Sequence, residues 1–232
     1  MEKLTSYIIG SMIFLSCVDI KKGDDKTNEA HQDKSVEVSK ILSNSQNNYG
    51  INITTTGPRG GSYSHPEGAE VRYTVFRIQI VNDTIISLDL ELDFPETPAH
   101  LLTDSIVLLS IFLLPDSLTP KNIQDDLNFG VIGIEKFFES DLSSHSTLKT
   151  SIQPKGQQTL YVGLKLESEI GNGTTRSILF INGQNIDAPF LPIKTIAKDD
   201  TDGTTLDLVY GIGVDPPNNY RLIPCGQIKY IN

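Results

Sequence analysis

What this chain lacks limits it first. Only two cysteines occur in 232 residues, Cys17 and Cys225. No histidine lies near Cys225 in sequence, so the partner that a catalytic thiol needs is not marked there. A lone thiol of this kind reads as buried and inert. Basic residues are scarce as well: 19 lysines and arginines face 29 acids, a net charge of -10. Nucleic-acid phosphates and anionic headgroups would be repelled, which excludes nucleic acid as a partner. No apolar run reaches the ~20 residues that span a bilayer. The Gly-x-Ser-x-Gly elbow of hydrolases is missing. Gly57, Gly60 and Gly61 lack the lysine and hydroxyl of a phosphate-binding loop. His31, His65, His100 and His145 are scattered without metal-ligand spacing, and nothing calls for a cofactor. No fixed-period repeat is visible, which argues against a propeller or solenoid.

At the N-terminus, Met1-Glu2-Lys3 precedes an apolar run from Leu4 to Ser16, and Cys17 follows. A charged start, a brief apolar core and small residues before a cut site make a secretory leader. The stretch Phe14-Leu15-Ser16-Cys17 resembles the lipobox of bacterial membrane-anchored lipoproteins. The resemblance implies a signal peptide over residues 1–16, lipid on Cys17 and a membrane as partner through that lipid. The following Lys21-Lys22-Gly23-Asp24-Asp25 resembles the surface-export signal of Bacteroidota-type lipoproteins, which implies an outer-membrane, surface-exposed location. Residues 17–47 have no aromatic residue and are rich in Lys, Asp, Ser, Asn and Gln. They read as a disordered tether.

From residue 48 the pattern changes. Tyr49, Ile51 and Ile53 alternate with polar neighbours as a half-buried strand does. Gly57-Pro58-Arg59-Gly60-Gly61 then reads as the start of a long loop running to Gly68. Val71 to Val81 and Ile86 to Phe94 read as two strands of a hairpin turned at Asn82-Asp83. In the second of them Ile86, Leu88, Leu90, Leu92 and Phe94 share one face, while Asp89, Glu91 and Asp93 share the other. Ser105 to Leu114 reads as a fully buried strand. Short helices are expected after Thr119-Pro120 and from Glu135 to Leu142. Strands resume at Leu148–Ile152, Leu160–Leu166, Ser177–Ile181, Phe190–Ile196, Leu206–Val214 and Leu222–Ile231, with Asn182-Gly183 as a tight turn. Nine or ten short strands with frequent turns predict an all-β fold, a two-sheet antiparallel β-sandwich of immunoglobulin-like or jelly-roll kind, with a short partly helical insertion. One domain over residues 48–232 is expected; the alternative is two small sandwiches divided near Ser140.

Three places could carry chemistry. Arg59, Tyr63 and His65 lie on the expected glycine-rich loop, where binding residues collect on rigid sandwiches. Asp199, Asp200 and Asp202 precede Gly203 in the manner of a calcium loop, although Lys198 and Val209 stand where ligands would be needed. With those two positions unfit, a polar turn between Ile196 and Leu206 is the expected reading and a calcium loop the alternative. The acids on Asp89, Glu91 and Asp93 could form a catalytic pair, or simply a solvated sheet face. The triplets Asp83-Thr84-Ile85, Asp104-Ser105-Ile106 and Asp116-Ser117-Leu118 resemble O-glycosylation sites of exported Bacteroidota-type proteins. The expected function is a tethered binding module for a glycan, an extracellular polymer or a partner envelope protein. The alternatives are a hydrolase whose carboxylates converge only in the fold, and a purely structural envelope protein.

Overall fold

A computed structural model describes residues 49–64, 68, 70–100, 108–124, 127–139, 146–166, 174–184, 186, 204–215 and 219–231. The leader, Cys17, the tether, His65, the expected strand at Phe190–Ile196 and Asp199, Asp200 and Asp202 lie outside these residues. The described strands are β1 (Ile51–Ser64), β2 (Glu70–Asn82), β3 (Ser87–Asp93), β4 (Ala99–His100), β5 (Leu108–Leu113), β6 (Thr147–Ile152), β7 (Gln157–Leu166), β8 (Thr174–Ile181), β9 (Thr205–Asp215) and β10 (Asn219–Ile231). They form two five-stranded antiparallel sheets, ordered β1-β2-β7-β5-β4 and β6-β3-β10-β9-β8. Strands from before and after Ser140 interleave in both sheets, which two separate sandwiches would not do.

The alternation that the sequence shows on β3 is what the sheet uses. Leu88, Leu90, Leu92 and Phe94 are each at most 1% exposed, and they pack between the sheets with Phe76, Ile78, Val162, Leu164 and Tyr210. Asp89 on the opposite face is exposed. Such a pattern suits a sheet with one wet side.

The expected hairpin between the two central runs does not form. β2 pairs with β1 and β7, whereas β3 pairs with β10 and β6 in the other sheet. The turn at residues 83–86 therefore carries the chain from one sheet to the other. Asn82 holds that corner. It is fully buried, and its Nδ2 donates to the carbonyls of Ile86, Ile152 and Gln153 at 2.8, 3.1 and 3.0 Å. Its Oδ1 accepts from the Thr84 amide and hydroxyl. A buried amide side chain with its donors and acceptor satisfied stabilises rather than costs.

The glycine-rich stretch is also not a loop. β1 runs through it, with a bulge between Thr56 and Arg59 beside a cis Gly57-Pro58 bond. At Gly60 an added Cβ would sit 2.2 Å from the Tyr73 carbonyl, so the close approach of β1 and β2 admits only glycine.

β7 has side chains buried on both faces. Leu160, Val162, Leu164 and Leu166 enter the inter-sheet core, and Tyr161 points into a second apolar cluster on the outer side of the first sheet. The insertion between β5 and β6 supplies that cover through Phe129, Val131, Ile134, Phe137 and Phe138. Its only α-helix among the described residues is one short turn, α1 (Ile134–Phe138). The helix expected at Thr119-Pro120 is replaced, among the described residues, by turns and by a tight turn at Leu127–Gly130 in which Asn128 and Phe129 take left-handed backbone angles. Asn182-Gly183 does turn, with the Gln184 amide donating to the Ile181 carbonyl, but β8 pairs with β9 across a much longer connection.

Candidate functional site

The solvent side of the second sheet brings together polar residues far apart in sequence. Register places Lys149 of β6, Glu91 of β3, Gln227 of β10 and Asp207 of β9 in one cross-strand row. The next row is Ser151, Asp89, Lys229 and Thr205. All project to one side because they sit one residue out of phase with the buried leucines. Asp89, Glu91, Lys149, Ser151, Gln227 and Lys229 border a shallow concavity of about 390 Å³.

Glu91 is the fixed point. Its carboxylate accepts from Lys149 Nζ at 2.7 Å and from Gln227 Nε2 at 3.2 Å. The Lys149 hydrogen bond is the main reason its pKa lies below the ordinary glutamate value, with the Gln227 bond and the lysine charges adding to it. Lys149 shifts upward for the same contact. Both groups are solvent-exposed, so the pair orients the face more than it stabilises the fold. A carboxylate held in its ionised form can accept hydrogen bonds from a ligand. It is the opposite of a general acid, which must keep its proton near neutral pH.

β6 borders this face as the outer strand of its sheet, paired with β3 alone among the described strands. Its outer edge offers backbone donors and acceptors to any added strand.

The predicted loop residues have other surroundings. Arg59 lies over the outer side of the first sheet, its guanidinium 5.6 Å from the Phe129 ring centre, with Arg77 at 5.0 Å from the same ring. Phe129 is fully buried, so these contacts seal the second cluster. Tyr63 is 9% exposed and stacks on Phe138 at 5.6 Å. Burial, then the charges of Glu139 and Glu135, push its hydroxyl pKa up. Tyr63 is thus a packing residue in this structure rather than a free aromatic on a loop. Among the described residues no three His, Cys, Asp or Glu side chains gather as metal ligands do.

Of the threonine and serine triplets, Thr84 gives its hydroxyl to Asn82 Oδ1 and the Ile86 carbonyl within the corner. Ser117 lies exposed on a turn, and Ser105 is outside the described residues. Comparison with protein-family models, curated proteins and solved structures finds no match.

Lys149, Ser151, Gln227 and Lys229 were not marked by sequence reasoning. Each occupies a polar position on a recognisable strand, but only the register shows that they adjoin Glu91 and Asp89.

Proposed function

We propose that this chain is a membrane-tethered interaction module that binds a partner envelope protein on its β6-β3-β10 face. The observation that carries this is the pair of cross-strand rows built around Glu91. They present both charge signs and amide and hydroxyl groups on one sheet face, next to a strand edge that pairs with no other described strand. A protein partner can use all of these, including the backbone edge. A glycan would find hydrogen-bonding groups here but no aromatic ring among the residues that border the concavity, so the protein is preferred.

In this reading Cys17 carries the lipid, and residues 17–47 hold the domain off an outer-membrane surface. Two or more acyl chains on one cysteine make the anchor stable where a single chain would not. Cys17→Ala is expected to move the protein out of the membrane fraction or leave it unprocessed. Intact Phe14–Val18 peptide without lipid in the wild type would refute the anchor.

The binding reading is tested by charge reversal. Protein tagged at the C-terminus is purified from its native envelope as wild type, Glu91→Lys and Lys149→Glu. Loss of the same co-purifying protein from both variants, at unchanged melting temperature, supports the reading. Equal recovery from all three overturns it.

A further inference from the structure

A second, separate cavity of about 300 Å³ opens at one end of the sandwich, bordered by Pro58, Gly60, Gly61, Arg72, Tyr73, Thr74, Leu166, Thr174 and Thr175. Register shows which of these point between the sheets. Thr74 pairs with Leu164, Arg72 with Leu166 and Thr175 with Val214, and all three partners belong to the inter-sheet core. Directly paired residues in an antiparallel sheet share a face. Arg72, Thr74 and Thr175 therefore face inward at the mouth of the sandwich. Opposite them on β1 stand Gly60 and Ser62, paired with Thr74 and Arg72. The glycine leaves the space unfilled, and no larger side chain can take its place, because the Tyr73 carbonyl lies 2.2 Å from where a Cβ would be.

The side chains of Arg72, Thr74 and Thr175 have no partner among the described residues. Thr74 and Thr175 are each 8% exposed, yet among the described residues neither hydroxyl has a hydrogen-bond partner. No carboxylate of the described residues forms an ion pair with Arg72. Arg72 is exposed at this mouth and open to an incoming anion. Hydroxyls at an open mouth can hydrogen-bond a ligand in place of water, and a guanidinium is a planar fork suited to a carboxylate.

We infer that this mouth is a binding site for a small hydroxylated carboxylic acid, the chemistry of a hexuronate sugar. The carboxylate takes two parallel hydrogen bonds from Arg72, and the ligand's hydroxyls or ring oxygen meet Thr74 and Thr175. The volume is at the lower end of small-ligand sites, about right for one such unit. The site is independent of the β6-β3-β10 face, and either reading can fail alone.

The test is a titration of the full-length, ¹⁵N-labelled protein with galacturonate, and with galactose as the neutral counterpart. Galacturonate is expected to shift the amides of Gly60, Thr74 and Thr175 saturably, and galactose to leave them unmoved. Arg72→Ala should weaken galacturonate binding by about tenfold or more, and Arg72→Lys by less. Arg72 is exposed, so both variants should keep the wild-type melting temperature. Thr175→Val offers an independent check, since it removes a hydroxyl and keeps the shape. No shifts with galacturonate, equal shifts with galactose, or binding unchanged in Arg72→Ala would each overturn the inference.

Discussion

Asn82 Nδ2, at the end of β2 in one sheet, donates a 3.1 Å hydrogen bond to the carbonyl of Ile152, the last residue of β6 in the other. That bond, with those to Ile86 and Gln153, closes two sheet-to-sheet corners at one end of the sandwich. The backbone agrees, since the Asn82 amide donates to the Gly156 carbonyl at 2.9 Å. Asn82→Leu fills similar space but leaves carbonyls in the corner without a donor. We expect it to lower stability by roughly 3 kcal/mol, read from urea denaturation. A loss under about 0.5 kcal/mol would mean water replaces the amide freely and the corner does not depend on it.

The second cluster makes a prediction at Gly163. A Cβ there would lie 2.2 Å from Phe112 Cε2, and Phe112 is fully buried between the sheet and α1. Gly163→Ala should cost about 1–3 kcal/mol by overpacking. Phe112→Leu in the same chain should recover part of that loss, since it removes the atoms in collision. Denaturation of the two single variants and the double variant gives the coupling, and simple additivity would show that the ring is free to move.

On β3, neighbouring positions should behave in opposite ways. Leu90 is 1% exposed and Asp89 is exposed. Leu90→Asp buries an unpaired carboxylate and should cost several kcal/mol, enough to unfold a domain of ordinary stability. Asp89→Asn should change stability by about 0.5 kcal/mol or less. Thermal melts of both variants check the contrast. If Asp89→Asn did comparable harm, the outer rows would be structural and not a free binding surface.

Cys225 should be chemically silent in the native state. It is 1% exposed in the inter-sheet core, and desolvation pushes its thiol up to about 12. At pH 8 a thiol reagent should modify it only as fast as the protein unfolds, with full reaction in denaturant. The raised value also fixes a sign. Its contribution to stability is fully present below the ordinary thiol pKa, and it is lost as pH rises from there towards 12. Rapid labelling of folded protein would show that the core opens at β10.

Much of this fold is legible in the sequence, and the misreadings have physical causes. Leu88 to Phe94 declare their buried face because the other face is wet, and periodicity records that difference directly. Tyr161 and Gly163 look like the outward side of β7, yet the insertion buries them. Local alternation cannot register cover that comes from a distant segment. Asn82-Asp83 is rightly a turn, but turn chemistry does not specify whether the next strand pairs or crosses to the other sheet. The Gly57–Gly61 stretch reads as a loop because glycine disfavours strands. Here close contact of β1 with β2 demands it. The charges of the candidate face are visible strand by strand, while their meeting depends on a register that no single strand encodes.

The claim that the β6-β3-β10 face is where this protein meets its partner is tested most directly by photocrosslinking in the native envelope. A photoreactive residue at Ser151, exposed beside Glu91 and Asp89, is compared with one at Asp116, exposed on the insertion over the other sheet. The account predicts one discrete protein adduct from Ser151, lost on Glu91→Lys, and none from Asp116. Adducts of equal yield from both positions, or from Asp116 alone, would contradict it.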